Sequence, residues 1–191
     1  MDLPGSTGEA SELDAMRQLA SGNDSALNTL MDEWSPRVTA MLYRMTGNPT
    51  VAGDLAQETF VRLYQTCRRF RPGNGTHPFS TWLFGIAANL AKNHLRWKGR
   101  HREAPLESAA DPATPDNPAS SVESAERAVA VREAIAILPI DQREVLILSE
   151  YEGLSHAEIA LIVGCSVKAV ERRLSHAREI LRRELARYLR G

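Results

Sequence analysis

Aromatic residues, cysteines and long apolar runs are all scarce in this chain of 191 residues. Only 6% of the residues are aromatic, and almost no stretch shows the alternation of β-branched residues that strands require, so helices should dominate. The two cysteines, Cys67 and Cys165, lie far apart, which favours free thiols in a reducing compartment over a regulatory disulfide. Without a membrane-length apolar run or a signal-peptide pattern, we expect a cytoplasmic protein with no membrane insertion of its own.

An excess of charge is also lacking, since the formal net charge is −1, but the charges are segregated along the chain. Residues Arg68–Arg102 contain eight bases and no acid, and Glu103–Ser124 contain five acids and no base. Residues Lys168–Arg190 then carry eight bases against three acids. Two basic blocks separated by an acidic spacer are the footprint expected for phosphate contacts.

Signals for catalysis are missing as well. The five histidines have no metal-ligand spacing, and no glycine-rich phosphate loop follows a strand. His156-Ala157-Glu158 imitates the first half of a deaminase signature, but no Pro-Cys-x-x-Cys follows. We therefore expect no catalytic residue, no metal and no cofactor.

The segment Gly153–Ala177 is the most informative feature that is present. Ser155 and Glu158 have the spacing of a capping box at the start of a short helix, and Gly164 stands where a left-handed residue ends it. Ser166 can then cap a second helix after a tight turn. This order predicts a helix-turn-helix, which lays its second helix in the major groove of DNA.

The second helix of this unit has two distinct faces. Apolar residues recur at steps of three and four and predict a buried stripe: Val167, Val170, Leu174, Ala177 and Leu181. The opposite face carries Lys168, Arg172, Ser175 and His176, flanked by Glu171, Arg173 and Arg178. A solvated amphipathic helix with no role in binding would show the same two faces. The two helix caps, the tight turn and the buried stripe together favour DNA recognition.

The pattern divides the chain into two all-helical domains. We expect a disordered tail at 1–10, a first domain at 11–102, a flexible acidic Pro/Ala/Ser linker at 103–122 and a second domain at 123–191. In the first domain, helices are expected at about 12–21 and 24–46 (interrupted near Trp34-Ser35-Pro36), then from the turn Gly47-Asn48-Pro49 to about Phe70, and at about 79–100. In the second, they are expected at about 123–137, 141–150, 155–163 and 167–188.

The helix Phe79–Arg100 carries a polar stripe suited to base edges and phosphates: Asn89, Asn93, Arg96 and Arg100, with Lys92 beside them. Trp82 and Trp97 could stack on an unpaired base or pack in the core. The loop Arg71–Pro78 before this helix is a candidate functional loop.

The helix over 54–70 exposes an apolar residue, Val61, among charged and polar residues: Asp54, Glu58, Arg62 and Gln65, with Gln57 at the margin. This face is either solvated or protein-binding.

Three motifs in order resemble the extracytoplasmic-function (ECF) group of bacterial RNA polymerase sigma factors. The run Gly53–Leu63 resembles region 2.2, and Phe79–Leu83 with Ile86–Asn89 and Arg96 resembles regions 2.3 and 2.4. Leu138-Pro139, Arg143 and the segment Gly153–Arg178 resemble region 4. The resemblance implies an all-α protein with a region 2-like bundle and a region 4-like helix-turn-helix. It also implies three partners: core RNA polymerase, promoter DNA and an anti-sigma factor.

The resemblance also implies roles by position. Core polymerase would be contacted by Asp54, Gln57, Glu58, Val61 and Arg62. Minus-10 DNA would be contacted by Asn74, His77, Trp82, Asn89, Lys92, Asn93, Arg96 and Arg100, with the loop 71–78 taking up a flipped base. Minus-35 DNA would be contacted by Arg143, Lys168, Glu171, Arg172, Arg173, Ser175, His176 and Arg178.

The recognition helix departs from the family pattern Gly-Thr-Val-Lys-Ser-Arg, because this chain has Lys168-Ala169-Val170-Glu171-Arg172-Arg173. Glu171 could accept from a cytosine amino group and Arg172 could donate to guanine. Two other functions stay open at this point: a stand-alone helix-turn-helix regulator, and an adaptor that competes for anti-sigma partners without initiating transcription.

Overall fold

The computed structural model describes residues 6–70, 78–101 and 122–188, with side chains over 11–70, 78–101 and 126–186. Within these ranges every regular element is helical. The helices are α1 (Ser6–Ala20), α2 (Ser25–Thr46), α3 (Pro49–Thr66), α4 (Phe79–Arg100), α5 (Val122–Ile137), α6 (Ile140–Glu150), α7 (His156–Val163) and α8 (Val167–Tyr188). A short 3₁₀ turn, Cys67–Arg69, extends α3. The all-α prediction is confirmed.

The first domain is a bundle of α1–α4, and two expectations about its helices were wrong. Helix α1 begins at Ser6, so it includes residues 6–10, which the sequence assigned to a disordered tail. Helix α2 continues through Pro36 without a break. A proline inside a helix removes one backbone hydrogen bond, but Trp34 and Val38 on either side are buried in the core and hold the helix together.

The ends of α2 and α3 are encoded locally. Gly47 ends α2 in the left-handed conformation, with φ of 68°, and its N–H donates to the carbonyl of Tyr43. Asn48 then caps α3 by accepting from the N–H of Val51, and Pro49 occupies the first turn, where it sacrifices no hydrogen bond.

The second domain contains α5–α8, and its predicted helix-turn-helix is confirmed. Ser155 and Glu158 form the reciprocal capping box of α7, and Gly164 ends that helix with φ of 68°. Ser166 accepts from the N–H of Ala169 at 3.2 Å to cap α8. Val170, Leu174 and Ala177 are buried as expected, whereas Val167 is 40% exposed because it lies in the first turn, beyond the packed stripe.

The two domains pack directly against each other. Helix α4 of the first domain contacts α6 and α7 of the second, and α2 contacts α5 and α6. Their buried residues form one continuous hydrophobic cluster. The expected linker at 103–122 lies outside the described residues except for Val122, the first residue of α5. The independent domains expected from the sequence are therefore in contact in this structure.

Candidate nucleic-acid interface

Helix α8 presents an exposed polar face on the side away from its buried stripe. The exposed side chains on it are Lys168, Glu171, Arg172, Ser175, His176 and Arg178. Two of them have partners within the domain: Glu171 lies 3.8 Å from Nδ1 of His156, and the Arg178 guanidinium donates to Oε1 of Glu150 at 2.6 Å. Surface pairs of this kind contribute little, so they do not prevent a phosphate from replacing the carboxylate.

Arg173 is only half-exposed and points away from the polar face. Its Nη2 lies 3.8 Å from Oδ2 of Asp141, and its Nη1 lies 3.9 Å from the thiol sulfur of Cys165. Asp141 also lies 3.7 Å from Nη2 of Arg96, so its carboxylate lies between one arginine of each domain. Arg173 is thus placed at the boundary between the domains rather than on the open surface of α8.

Arg143 is also absent from the open surface. Its guanidinium donates to the carbonyls of Met45 at 2.7 Å, of Leu138 at 3.2 Å and of Ala136. These carbonyls lie at or just beyond the ends of α2 and α5, where helices leave acceptors unpaired. Burial lowers the pKa of Arg143 from its ordinary value. In this structure Arg143 connects two helix ends, and its expected phosphate contact stays a prediction.

On helix α4, most of the predicted stripe is accessible. Asn89, Asn93, Arg96 and Arg100 are all exposed. Lys92 is the exception, with a side chain only 11% exposed and its Nζ 2.9 and 3.0 Å from the two carboxylate oxygens of Glu144. Lys92 follows Ala88 by four residues and shares its buried face, a spacing that could have revealed its burial. The expected DNA contact by Lys92 is therefore not available in this arrangement.

Glu144 has no exposed side-chain surface. Loss of water around the carboxylate raises its pKa above the ordinary value, while the hydrogen bonds and charge of Lys92 act in the opposite direction. Desolvation is the larger effect on the pKa of Glu144, so the attraction of Lys92 only partly offsets the cost of burying this carboxylate.

Two further acids of the second domain contact the first. The Thr81 hydroxyl donates to Oε1 of Glu158 at 3.1 Å. Glu152 lies 3.4 Å from the Arg37 guanidinium and 3.9 Å from that of Arg44, and burial raises its pKa. Neither acid was among the predicted site residues: Glu158 was expected only as part of the α7 capping box, and nothing local in the sequence distinguishes Glu152 from a solvated acid.

The aromatic candidates on α4 differ in environment. Trp82 is half-buried, and the centroid of its ring lies 5.1 Å from the ring centroid of Phe70. Trp82 therefore lies at the edge of the core. Trp97 is 54% exposed and stacks on His101 at 4.8 Å. Asn74, His77 and all of the expected loop 71–78 except Pro78 lie outside the described residues.

The outer face of α3 matches the expected arrangement. Asp54, Gln57, Glu58, Val61 and Arg62 are all exposed, and Val61 has 53% of its surface accessible. Glu58 accepts two hydrogen bonds from Arg62, at 3.0 and 2.7 Å. A groove runs from this face to Ile86 and Asn89 on α4, so the charged face and the polar stripe are neighbours.

Within the described ranges, no group of three His, Cys, Asp or Glu side chains could hold a metal ion. Over the same part of the chain, no helix combines the length and apolar character needed to cross a membrane.

A helix-turn-helix with an exposed basic face, joined to a helical bundle with a second polar and basic stripe, defines a DNA-binding transcription protein. Two family models match the chain: Sigma-70 region 2 over residues 30–101 and Sigma-70 region 4 over residues 128–181. The RNA polymerase sigma-H factor of Pseudomonas aeruginosa is 35% identical over 179 residues, covering 88% of this chain and 91% of the relative. The ECF RNA polymerase sigma-E factor of Haemophilus influenzae is 32% identical over 179 residues, covering 89% and 93%.

Two solved structures share the fold. CnrH in complex with the cytosolic domain of CnrY is 28% identical with a TM-score of 0.68, covering 92% of this chain and 97% of that one. The sigma factor RpoE in complex with the anti-sigma factor NepR from Bartonella quintana is 26% identical with a TM-score of 0.67, covering 83% and 96%. The chain belongs to the ECF family of RNA polymerase sigma factors, which are transcription initiation factors.

Proposed function

We propose that three surfaces of this chain divide the work of promoter selection. The exposed face of α3 around Val61 binds core RNA polymerase. The stripe on α4 from Asn89 to Arg100 contacts the minus-10 element, and the outer face of α8 around Arg172 reads the minus-35 element. The chain performs no catalysis of its own and acts in the cytoplasm, where the polymerase is found.

The observation that carries this proposal is the coexistence of two basic DNA-facing helices in one chain. Asn89, Asn93, Arg96 and Arg100 are exposed on α4, while Lys168 and Arg172 are exposed on α8. Amides and guanidiniums supply hydrogen-bond donors for base edges and positive charge for phosphates. A stand-alone helix-turn-helix regulator would need only the DNA-binding face of α8. The additional polar and basic stripe on α4 therefore supports a sigma factor that contacts two promoter elements.

We further propose that an anti-sigma factor controls the chain. One neighbouring structure contains the sigma factor RpoE with the anti-sigma factor NepR, and the other contains CnrH with the cytosolic domain of CnrY. The likeness to the first extends over 92% of this chain, both domains included, which supports a packed arrangement of the domains in an inhibited complex.

In vitro transcription with purified core polymerase tests the proposed function. The full chain should make core polymerase initiate at a defined start site on genomic fragments, and transcript mapping then identifies the promoter. Specific, tight binding of promoter duplex without polymerase would instead identify a stand-alone regulator. Binding to an anti-sigma protein with no initiation at any fragment would identify a competing adaptor.

A further inference from the structure

A cleft of about 740 Å³ opens between helices α2 and α3 of the first domain and α5 of the second. Its volume falls within the range of roughly 300–1,000 Å³ that is typical of sites for small molecules. Among the described residues that line it, none belongs to the surfaces proposed for polymerase or DNA. All three helices contribute to the apolar part of its wall, with Met31, Pro36, Ala40, Ala52, Val131 and Ile135.

Two arginines and two tyrosines also lie in the wall of this cleft. The guanidinium carbon of Arg44 lies 4.3 Å from the ring centroid of Tyr151, and that of Arg132 lies 5.9 Å from the ring centroid of Tyr43. Stacking on a ring uses the flat face of a guanidinium, whereas its N–H donors point outward in the plane. Of the described residues that line the cleft, Asp32 alone is acidic, so positive charge exceeds negative charge there.

Arg44 is the group best placed to hold an anion. Its side chain is 34% exposed, and the carboxylate that pairs with it, that of Glu152, lies 3.9 Å away, beyond hydrogen-bond distance. The same carboxylate lies closer to Arg37, at 3.4 Å. Over the described residues, the Arg44 guanidinium therefore donates no hydrogen bond. A carboxylate can accept two parallel hydrogen bonds from such a guanidinium.

We propose that this cleft binds a small amphipathic anion, whose apolar body lies against α2, α3 and α5 and whose carboxylate pairs with Arg44. Burial of the apolar body supplies the larger part of the binding free energy, and the ion pair fixes the orientation. Because the wall comes from both domains, the bound molecule favours the arrangement in which the domains are in contact. Binding does not depend on the proposed function, since no promoter-contacting or polymerase-contacting residue takes part.

Calorimetric titration of the full chain with decanoate tests the site. Decanoate should bind saturably with one molecule per chain, and it should raise Tm because it binds the folded form. Hexanoate should bind at least about tenfold more weakly, since it buries four fewer methylenes. Decylammonium has the same alkyl chain with the opposite charge, and it should also bind at least about tenfold more weakly than decanoate.

Two substitutions and a matched control test the residues. Arg44→Gln removes the charge and should weaken decanoate binding at least about tenfold without weakening that of decylammonium. Arg37→Gln is the control, because Arg37 also pairs with Glu152 but does not line the cleft. Ala40→Phe fills part of the cleft and leaves every charge in place, so it should abolish decanoate binding while circular dichroism shows an unchanged helical content.

Three results would overturn this assignment. The first is the absence of saturable decanoate binding, which is also the result expected if the cleft receives a segment of a partner protein instead. The second is an equal loss of affinity in Arg37→Gln and Arg44→Gln, and the third is undiminished binding in Ala40→Phe. A chain that binds decanoate as expected but does not initiate transcription would refute the proposed function alone.

Discussion

Replacement of Arg143 by alanine distinguishes a structural role from a DNA contact at this position. The family resemblance implies that Arg143 holds the minus-35 backbone, whereas the structure shows its guanidinium donating to three backbone carbonyls. Two of them, Ala136 and Leu138, lie at and just after the end of α5, and Met45 lies in the last turn of α2. In the alanine variant all three carbonyls lose their donor, and those of Met45 and Leu138 do so at partly buried positions.

The expected loss can be worked from these contacts. A hydrogen bond to a charged group contributes about 1.5–3 kcal/mol net. Three such bonds share one guanidinium, and its removal also ends the cost of burying a charge, so the losses do not add. We expect the free energy of unfolding to fall by about 3 kcal/mol, which for a chain of this size lowers Tm by roughly 6–12 °C.

Arg143→Lys is the decisive comparison, because lysine keeps the charge but not the planar fork that reaches several carbonyls. If Arg143 is structural, both variants unfold early by circular dichroism, and the salt dependence of promoter binding by the holoenzyme stays unchanged. If Arg143 binds a phosphate, Arg143→Ala lowers the slope of log K against log salt by about 1. An unshifted Tm together with that lower slope would refute the structural role.

Three further predictions concern the recognition helix α8, the preceding helix α7 and the contact between the two domains. Arg172→Ala should cost about 1–3 kcal/mol of discrimination at one minus-35 base pair, whereas Arg178→Ala should weaken binding to all sequences and flatten its salt dependence. The same sequence-independent loss in both variants would contradict the assignment of the α8 face. Ser155→Ala removes the α7 cap and should cost about 1 kcal/mol, seen as a Tm lowered by roughly 2–4 °C; an unchanged Tm would show that the cap is dispensable. Burial raises the pKa of Glu144 and Glu152 where the two domains are packed together, so packing takes up protons and this contribution is lost as pH rises through the raised values. Fluorescence energy transfer between labels on the two domains should therefore increase as pH falls from neutral through the raised pKa values, and a decrease would contradict the sign.

The sequence predicts helix ends well because their determinants are local. Ser155, Glu158 and Gly164 lie within one turn of the end that each one fixes, so a short segment specifies both the start and the stop of α7. Pro36 shows the limit of local reasoning. Its ring disfavours a helix, but the packing of α2 against α1, α3 and α4 supplies more stabilisation than one lost hydrogen bond removes.

The contact partners of long charged side chains could not be predicted in the same way. Lys92, Arg143 and Arg173 all lie on patterns that are compatible with an open basic surface. In the structure, two of them have a partner in the other domain: Glu144 lies 52 positions from Lys92, and Met45 lies 98 positions from Arg143. Because such pairings depend on how two domains meet, the pattern of either helix alone contains no signal for them.

The covalent connection between the domains explains how weak contacts could hold them together. Contacts within one chain compete at the effective concentration set by the connecting segment, which for short connections is in the millimolar range. An interface too weak to join separate molecules can therefore hold two tethered domains together. The contacts between the domains are of two kinds, a continuous hydrophobic cluster and polar pairs such as that of Lys92 and Glu144, so the packed arrangement does not depend on the polar pairs alone.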